Sequence, residues 1–501
     1  MELFSNLATG FAAATTLYNL LFCLAGVMIG TLIGVLPGIG ATATIAILLP
    51  ITYQLEPISS LIMLAGIYYG AQYGGSTTAI LINMPGESSA AVTAIDGYQM
   101  ARNGRAGVAL AIAAIGSFVA GTFATLLVAI FAKPLTAIAL EFGPAEYFSL
   151  MVLGLVFSTA LAHGSIVKAL GMLLLGLLLS MVGTDLYTGE YRFTLGIDGF
   201  ADGLEVVAVA VGVFGIAEIL RNLENPTSRD LVTRHISSLM PTREDFRAIV
   251  GPIVRGTGIG SVLGILPGGG PILAAFASYT IEKRVSNKPG DFGRGAIAGV
   301  AGPESANNAG AQTSFIPLLT LGIPANPVLA MLIGAMFIQG IVPGPNVVVE
   351  QPTLFWGIIA SMWIGNLMLV VLNLPLVGMW VKLLSIPYNV LFPAVMVFCA
   401  IGVFSVHSNS YDLIVVSLFG LAGYLLGKIG CEPAPLMLGF ILGPMLEENL
   451  RRAMTMYRGD PTIFFVRPIS AVLMMLALMV LALTLLPNIR RKREEIFQEE
   501  D

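Results

Sequence analysis

The stretch "GVLPGIGATATIAILLP", Gly34 to Pro50, constrains this chain most, because glycines and a proline interrupt strongly apolar sequence there. Pro37 has no backbone donor, and Gly38 and Gly40 leave helical dihedrals readily. A helix arriving at Pro37 should therefore stop and restart near Ala41. A phosphate loop would need a lysine followed by Ser or Thr, and none lies nearby. The other glycine segment with a lysine, "GYLLGKIG" at Gly423–Gly430, has the wrong spacing and no hydroxyl after Lys428. Nucleotide hydrolysis by this chain is excluded on that ground. Of 501 residues, 56% are hydrophobic and 11% charged, against about 25% charged in soluble domains. Runs of roughly 20 apolar residues, enough to cross a bilayer, recur along the sequence. The fold class expected is an all-α polytopic membrane protein.

Full spans are predicted near 16–36, 106–132, 146–162, 164–183, 203–221, 247–266, 327–342, 354–381, 384–404, 411–430 and 468–486. Shorter apolar pieces near 39–53, 58–70, 75–84, 270–281, 295–302, 311–323 and 434–445 read as half-helices or re-entrant hairpins. No Lys or Arg precedes Arg102, so the first apolar run is expected to stay as a span. Cys23, Cys399 and Cys431 are scattered and suggest neither disulfides nor a metal set. His163, His235 and His407 are equally dispersed. Nothing resembles a nucleic-acid surface.

Loop charges give an orientation. Arg221, Arg229, Arg234, Arg243 and Arg247 place the linker between halves in the cytoplasm, together with Arg102 and Arg105. Asp185, Glu190, Asp198, Asp202 and Glu205, against Arg192 alone, place 184–205 outside. The C-terminus conflicts with this pattern. Arg451, Arg452, Arg458 and Arg467 precede the last span, and Arg490, Arg491, Lys492 and Arg493 follow it.

The chain also repeats itself. "GVLPGIG" returns as "GILPGGG", Gly264–Gly270, at an offset of 230 (267 − 37). "GAQ" at Gly70–Gln72 returns at Gly310–Gln312, and "NMPG" at Asn83–Gly86 is echoed by "GIPA" at Gly322–Ala325. The expected organisation is a first transmembrane repeat at 1–220, a basic linker at 221–246, a second repeat at 247–445, and a final span and tail at 446–501. With the N-terminus outside, the copies run in opposite directions. Inverted halves with broken segments at matching positions point to a secondary transporter's binding site.

Three motifs carry the chemistry. At the two breaks, Pro37, Gly38, Gly40 and Thr42, and Pro267, Gly268, Gly269 and Gly270, would present helix N-termini that favour anions. Freed carbonyls and the Thr44 hydroxyl could instead hold a cation. The alternative is a plain turn between packed helices. In "YYGAQYGGSTTAILINMPGESSA", Gly74-Gly75 with Ser76, Thr77 and Thr78 reads as a hydroxyl-rich break lining a wet cavity, or as a quiet helix interface. Asn83 and Glu87 follow it. In "GVAGPESANNAGAQTSFIPLLTLGIPANP", Glu304 sits beside Asn307 and Asn308 in apolar surroundings, with Gly322 and Pro324 downstream. A charge at mid-membrane costs at least about 2.5–3.5 kcal/mol, so it needs a partner or a task. Glu87, Glu304, Thr44, Asn83, Gly322 and Pro324 are the cation-coupling candidates; helix locking is the alternative.

These same motifs, "GVLPGIG", "YGGSTTAILINMPGESS", "DGYQMARNGRAG", "GVAGPESANNAGAQ" and "LTLGIP", closely resemble the large permease subunit of the tripartite tricarboxylate transporter family along essentially the whole chain. The resemblance implies bacterial secondary uptake of an organic anion delivered by a periplasmic solute-binding protein. It also implies a small four-helix membrane subunit as partner, a location in the cytoplasmic membrane and an elevator-like two-repeat fold. Ala325 and Asn326 stand where members often have Gly-Ser, a difference that bears on substrate choice. No catalytic residue, cofactor or metal is expected beyond a transported Na⁺ or H⁺. A stand-alone permease or exporter is the rival reading. An intramembrane hydrolase is a remote one, because Ser76 and Ser305 have no His or Lys beside them in sequence.

Overall fold

The computed structural model describes residues 2–36, 40–161, 165–185, 187–224, 239–266, 270–383, 393, 396–397, 399–401, 403–404 and 409–485. Outside them lie the break residues Pro37, Gly38, Pro267, Gly268 and Gly269, linker positions 225–238, the three histidines, most of the expected span 384–404, and the arginine cluster at 490–493.

The first half runs through α1 (Glu2–Ala14), α2 (Leu17–Val35), α3 (Gly40–Thr52), α4 (Pro57–Ile82), α5 (Ala91–Met100), α6 (Ala106–Ala139), α7 (Pro144–Leu161), α8 (Ile166–Leu179), α9 (Val206–Ala210) and α10 (Ala217–Glu224). The second half holds α11 (Arg243–Leu263), α12 (Gly270–Val285), α13 (Ala298–Thr313), α14 (Phe315–Leu321), α15 (Pro327–Ile338), α16 (Pro345–Glu350), α17 (Pro352–Asn373) and α18 (Val377–Leu383). After it come α19 (Ser410–Lys428), α20 (Pro433–Met456), α21 (Ile463–Val466) and α22 (Pro468–Leu485). Among the described residues, helical stretches at Leu17–Val35, Ser88–Ala139, Pro352–Asn373 and Ser410–Lys428 are long and apolar enough to cross a membrane.

Both expected breaks are present. α2 ends at Val35 with Leu36 extended, and α3 starts at Gly40, whose φ is +65°. α11 ends at Leu263 and α12 starts at Gly270. Each interrupted helix lies against a buried central helix of its own half. A Cβ on Gly26, Gly30 or Gly34 would come within 2.3, 2.3 and 2.4 Å of the carbonyl oxygens of Met63, Ile67 and Ala71 on α4. A Cβ on Gly256, Gly260 or Gly264 would come within 2.3, 2.2 and 2.5 Å of those of Gly302, Ala306 and Gly310 on α13. Only glycine permits such an approach, the small-residue packing that lets membrane helices meet backbone to backbone. The glycines match at an offset of 230 (256 − 26) and their contacts at 239 (302 − 63). The sequence echo of "GAQ", at 240, is one residue out of step with this packing.

The central helices end alike too. α4 closes on left-handed Asn83 (φ 57°, ψ 30°) and α14 on left-handed Gly322 (φ 73°, ψ 22°). Glu87 and Asn326 then take extended backbone ahead of the next helical turns. Across the halves the packing is crossed: α3 lies on α15, and α12 lies on Ser88–Ala90. Each helix following a break thus meets the segment behind the other half's left-handed turn.

Four sequence expectations need correction, the first being the full span expected at 327–342, where α15 has only 12 residues. Gly74-Gly75 is no break, because α4 runs unbroken through it and is buried from Ser59 to Ile82. These glycines serve close packing: a Cβ on Gly74 would sit 2.3 Å from the Thr31 carbonyl oxygen, and one on Gly75 would sit 2.9 Å from the Glu87 nitrogen. The two short pieces at 58–70 and 75–84 are therefore one 26-residue helix. The piece at 434–445 is likewise part of the 24-residue α20.

The charged ends fall into two groups. Arg105 pairs with Asp245 at 2.7 Å, so the "DGYQMARNGRAG" motif and the start of α11 share one face. On the acidic loop, β1 (Gly183–Thr184) and β2 (Tyr191–Arg192) form a small hairpin. Asp185 of this hairpin accepts the Tyr187 N–H at 2.8 Å and pairs with Arg451 at 2.8 Å, while Arg192 pairs with Glu447 at 2.8 Å. Arg467 pairs with Glu146. Arg451 and Arg467, ahead of the last helix, therefore lie on the acidic face, each paired with a carboxylate.

Candidate functional site

The polar centre is built on two buried helices, α4 and α13. α13 is buried from Gly299 to Thr313, and Glu304 is 0% exposed. The Ser76 hydroxyl of α4 donates to Glu304 Oε2 at 2.7 Å, that of Ser117 on α6 donates at 3.4 Å, and that of Thr93 on α5 donates to Oε1. Asn308 Nδ2 donates to Ser117 Oγ at 2.7 Å and to the Glu304 carbonyl at 3.1 Å. Bonds to a charged acceptor contribute roughly 1.5–3 kcal/mol each, which offsets part of the cost of burying a carboxylate. Among the described residues no Lys, Arg or His pairs with Glu304. The partners of this carboxyl are neutral hydroxyls.

A cavity of about 10 Å³ opens beside this carboxylate, lined by Tyr73, Ser76, Thr77, Ser117, Glu304 and Asn373 together with apolar positions of α6. That is room for one water-sized body and far too little for a polycarboxylate. A larger cavity of about 300 Å³ lies at the acidic face, between the ends of α8 and α15, the middle of α20 and the 202–206 segment. It is mostly apolar and contains none of the expected site residues.

The second feature is the first break. Glu87 Oε1 accepts the backbone N–H of Ala41 at 2.5 Å, which puts the "PGESS" carboxylate on the N-terminus of α3. Gly86 must be glycine for this turn to close, because a Cβ would lie 1.8 Å from the Gly34 carbonyl oxygen. Asn83, Pro85 and Ser88 are exposed around the half-buried Glu87, so the turn lies at the surface of the described chain. Its counterpart in the second half is buried from Gly322 to Asn326. There Asn326 caps α15 by accepting the Leu329 N–H at 3.0 Å and donates to the Tyr68 hydroxyl at 2.8 Å.

Of the expected residues, Ser76, Glu304 and Asn308 meet in one cluster, and Glu87 meets the start of α3. Thr44 bonds back to the Gly40 carbonyl at 2.8 Å, and Thr78 ties α4 to the Gly34 carbonyl at 3.3 Å. Thr77 bonds within its own helix to the Tyr73 carbonyl at 3.5 Å. Asn83 and Gly322 shape turns, with Pro324 buried in the second one. Thr42 and Gly40 are half-buried at the head of α3, and Gly270 is buried at the head of α12. Asn307 is fully buried, and neither atom of its amide has a partner. Sequence reasoning missed Thr93, Ser117, Tyr73 and the α17 pair Asn366 and Asn373. Tyr73 donates to Asn366 Oδ1 at 2.7 Å. An asparagine inside an apolar run was the available signal for the α17 pair.

A helical chain with two interrupted helices packed about a buried polar centre has features that membrane transporters use to build their binding sites. The model of the tripartite tricarboxylate transporter TctA family matches residues 20–438, and the chain belongs to that family. It is 62% identical, over the full length of both chains, to an Agrobacterium vitis protein described as "Uncharacterized 52.8 kDa protein in TAR-I ttuC' 3'region". A second Agrobacterium vitis protein, from the TAR-II ttuC' 3'region, is 62% identical over 242 residues, covering 48% of this chain and all of the relative. No solved structure matches.

Proposed function

We propose that this chain is the permease subunit of a binding-protein-dependent importer of di- or tricarboxylates, coupled to Na⁺ or H⁺ in the cytoplasmic membrane. Its partners are a periplasmic solute-binding protein and a small four-helix membrane subunit, as the word tripartite in the family's description supports. The carrying observation is the pair of matched breaks, each with its glycine ladder and left-handed turn, interlocked across the two halves. That arrangement supports two inverted repeats moving as an elevator-like unit.

The substrate carboxylates are assigned to the surface turn at the head of α3, around Gly40, Thr42 and Glu87, with Gly270 and Asn307 contributed by the second half. The coupling ion is assigned to Glu304. The two subsites are adjacent on α4, since Gly75 backs onto Glu87 and Ser76 donates to Glu304. Energetics demand coupling. A dianion moving inward against 100 mV costs about 4.6 kcal/mol, at roughly 2.3 per charge. Two co-transported cations cancel that term and a third makes the potential drive uptake.

The test has two stages. A thermal-shift screen of the cognate binding protein against organic acids identifies the solute. Uptake of that solute by cells carrying all three components should then stop when the binding-protein gene is deleted. Uptake that continued unchanged would favour a stand-alone permease.

A further inference from the structure

The cavity beside Glu304 collects oxygen from four helices. Ser76 and Thr77 come from α4, Ser117 from α6, Glu304 from α13 and Asn373 from α17. Asn373 is 6% exposed, and its Nδ2 is committed to the Leu369 carbonyl at 3.0 Å. Its Oδ1 has no partner and belongs to a residue lining the same cavity. An orphaned buried carbonyl oxygen costs about 1–3 kcal/mol, so a body that accepts its lone pairs would be stabilised there. Ser117 Oγ accepts from Asn308 Nδ2 and turns its own O–H to Glu304, which leaves one lone pair of its oxygen unused. The carboxylate has no counter-charge among the described residues.

We propose that this cavity is a Na⁺ site, with Glu304 supplying the single negative charge and Ser76, Ser117 and Asn373 Oδ1 supplying neutral oxygens. The proposal rests on the reading of the chain as a cation-coupled importer and names the ion and its ligands. One carboxylate balances one monovalent charge, and about 10 Å³ admits one dehydrated ion. Mg²⁺ gives up its waters reluctantly, and Ca²⁺ takes 6–8 oxygens, usually with more carboxylates. A proton would neutralise Glu304 yet use only one acceptor. It would leave Asn373 Oδ1, on a residue lining the same cavity, still without a partner.

The test uses the full chain in detergent, without any organic anion, and follows its thermal unfolding as NaCl replaces choline chloride or KCl at constant ionic strength. A saturable, Na⁺-specific rise in melting temperature is expected. Glu304→Gln should abolish it, and Asn373→Ala should shift the half-saturating Na⁺ concentration at least tenfold. If Glu304→Gln does not fold, ²²Na⁺ binding to wild type, Ser117→Ala and Asn373→Ala gives the same comparison. A rise that follows pH instead of Na⁺, or one that Asn373→Ala leaves unchanged, overturns the site. Since no solute is present, Na⁺ binding stands or falls here independently of whether carboxylates are carried.

Discussion

Glu87 accepts the Ala41 N–H at 2.5 Å, so the N-terminus of α3 already carries a carboxyl group from the chain itself. A substrate carboxylate seeking the same amide must compete with that side chain. The second half lacks the equivalent charge, because Asn326 stands in that place and is committed to Leu329 and Tyr68.

Replacing Glu87 by Gln therefore has two expected effects. Loss of a charged cap lowers stability by about 0.5–2 kcal/mol, seen as a lower melting temperature. Relief of competition lowers the KM for the anion severalfold in uptake assays. An unchanged KM would show that Glu87 and the substrate do not share the α3 terminus.

The glycine ladders give a paired prediction. Gly30→Leu and Gly260→Leu each force a side chain into a carbonyl that a Cβ would approach to 2.3 and 2.2 Å. Overpacking costs typically 1–3 kcal/mol, and more where the obstacle is backbone. Both variants should lose monodispersity in size-exclusion chromatography, whereas Gly258→Leu, at a position with nothing within 4 Å of a Cβ, should not.

Gly322 combines a φ of 73° with a Pro343 carbonyl oxygen 2.7 Å from any added Cβ. Gly322→Ala should be destabilising by more than 1 kcal/mol on backbone strain and contact together. Its counterpart Asn83 has the same left-handed backbone but is exposed. Asn83→Gly should leave the melting temperature nearly unchanged or raise it.

Much of this was legible in the sequence, for a physical reason. Pro and Gly act on the local backbone, so the breaks at Pro37 and Pro267 could be read before any tertiary contact was known. Gly74-Gly75 was misread because glycine in a membrane helix marks either a break or a close neighbour. Only Thr31 and Glu87, its actual neighbours, decide between them. Glu304 stood out as a charge in apolar surroundings. Thr93 and Ser117 did not, because lone hydroxyls are common in such helices and only the fold brings these two onto one carboxylate.

On the acidic face the hairpin carries a pH dependence. The Tyr187 N–H first, then further bonds from Thr188 and Arg451 against some burial, holds the Asp185 carboxyl below its ordinary range. A depressed folded value stabilises the hairpin above the ordinary aspartate value of about 3.9, and that contribution disappears as pH falls through the folded value. Protease cleavage within 183–203 should be slow at pH 7 and rise only below about pH 4. Asp185→Asn should show fast cleavage already at neutral pH.

Uptake into proteoliposomes containing the permease and small subunit, with loaded binding protein outside, tests the central claim most directly. Accumulation of the organic anion should require an inward Na⁺ or H⁺ gradient, carry net positive charge or none, and fail in Glu304→Gln. Accumulation that persisted when both gradients were collapsed, or that survived Glu304→Gln, would contradict the account.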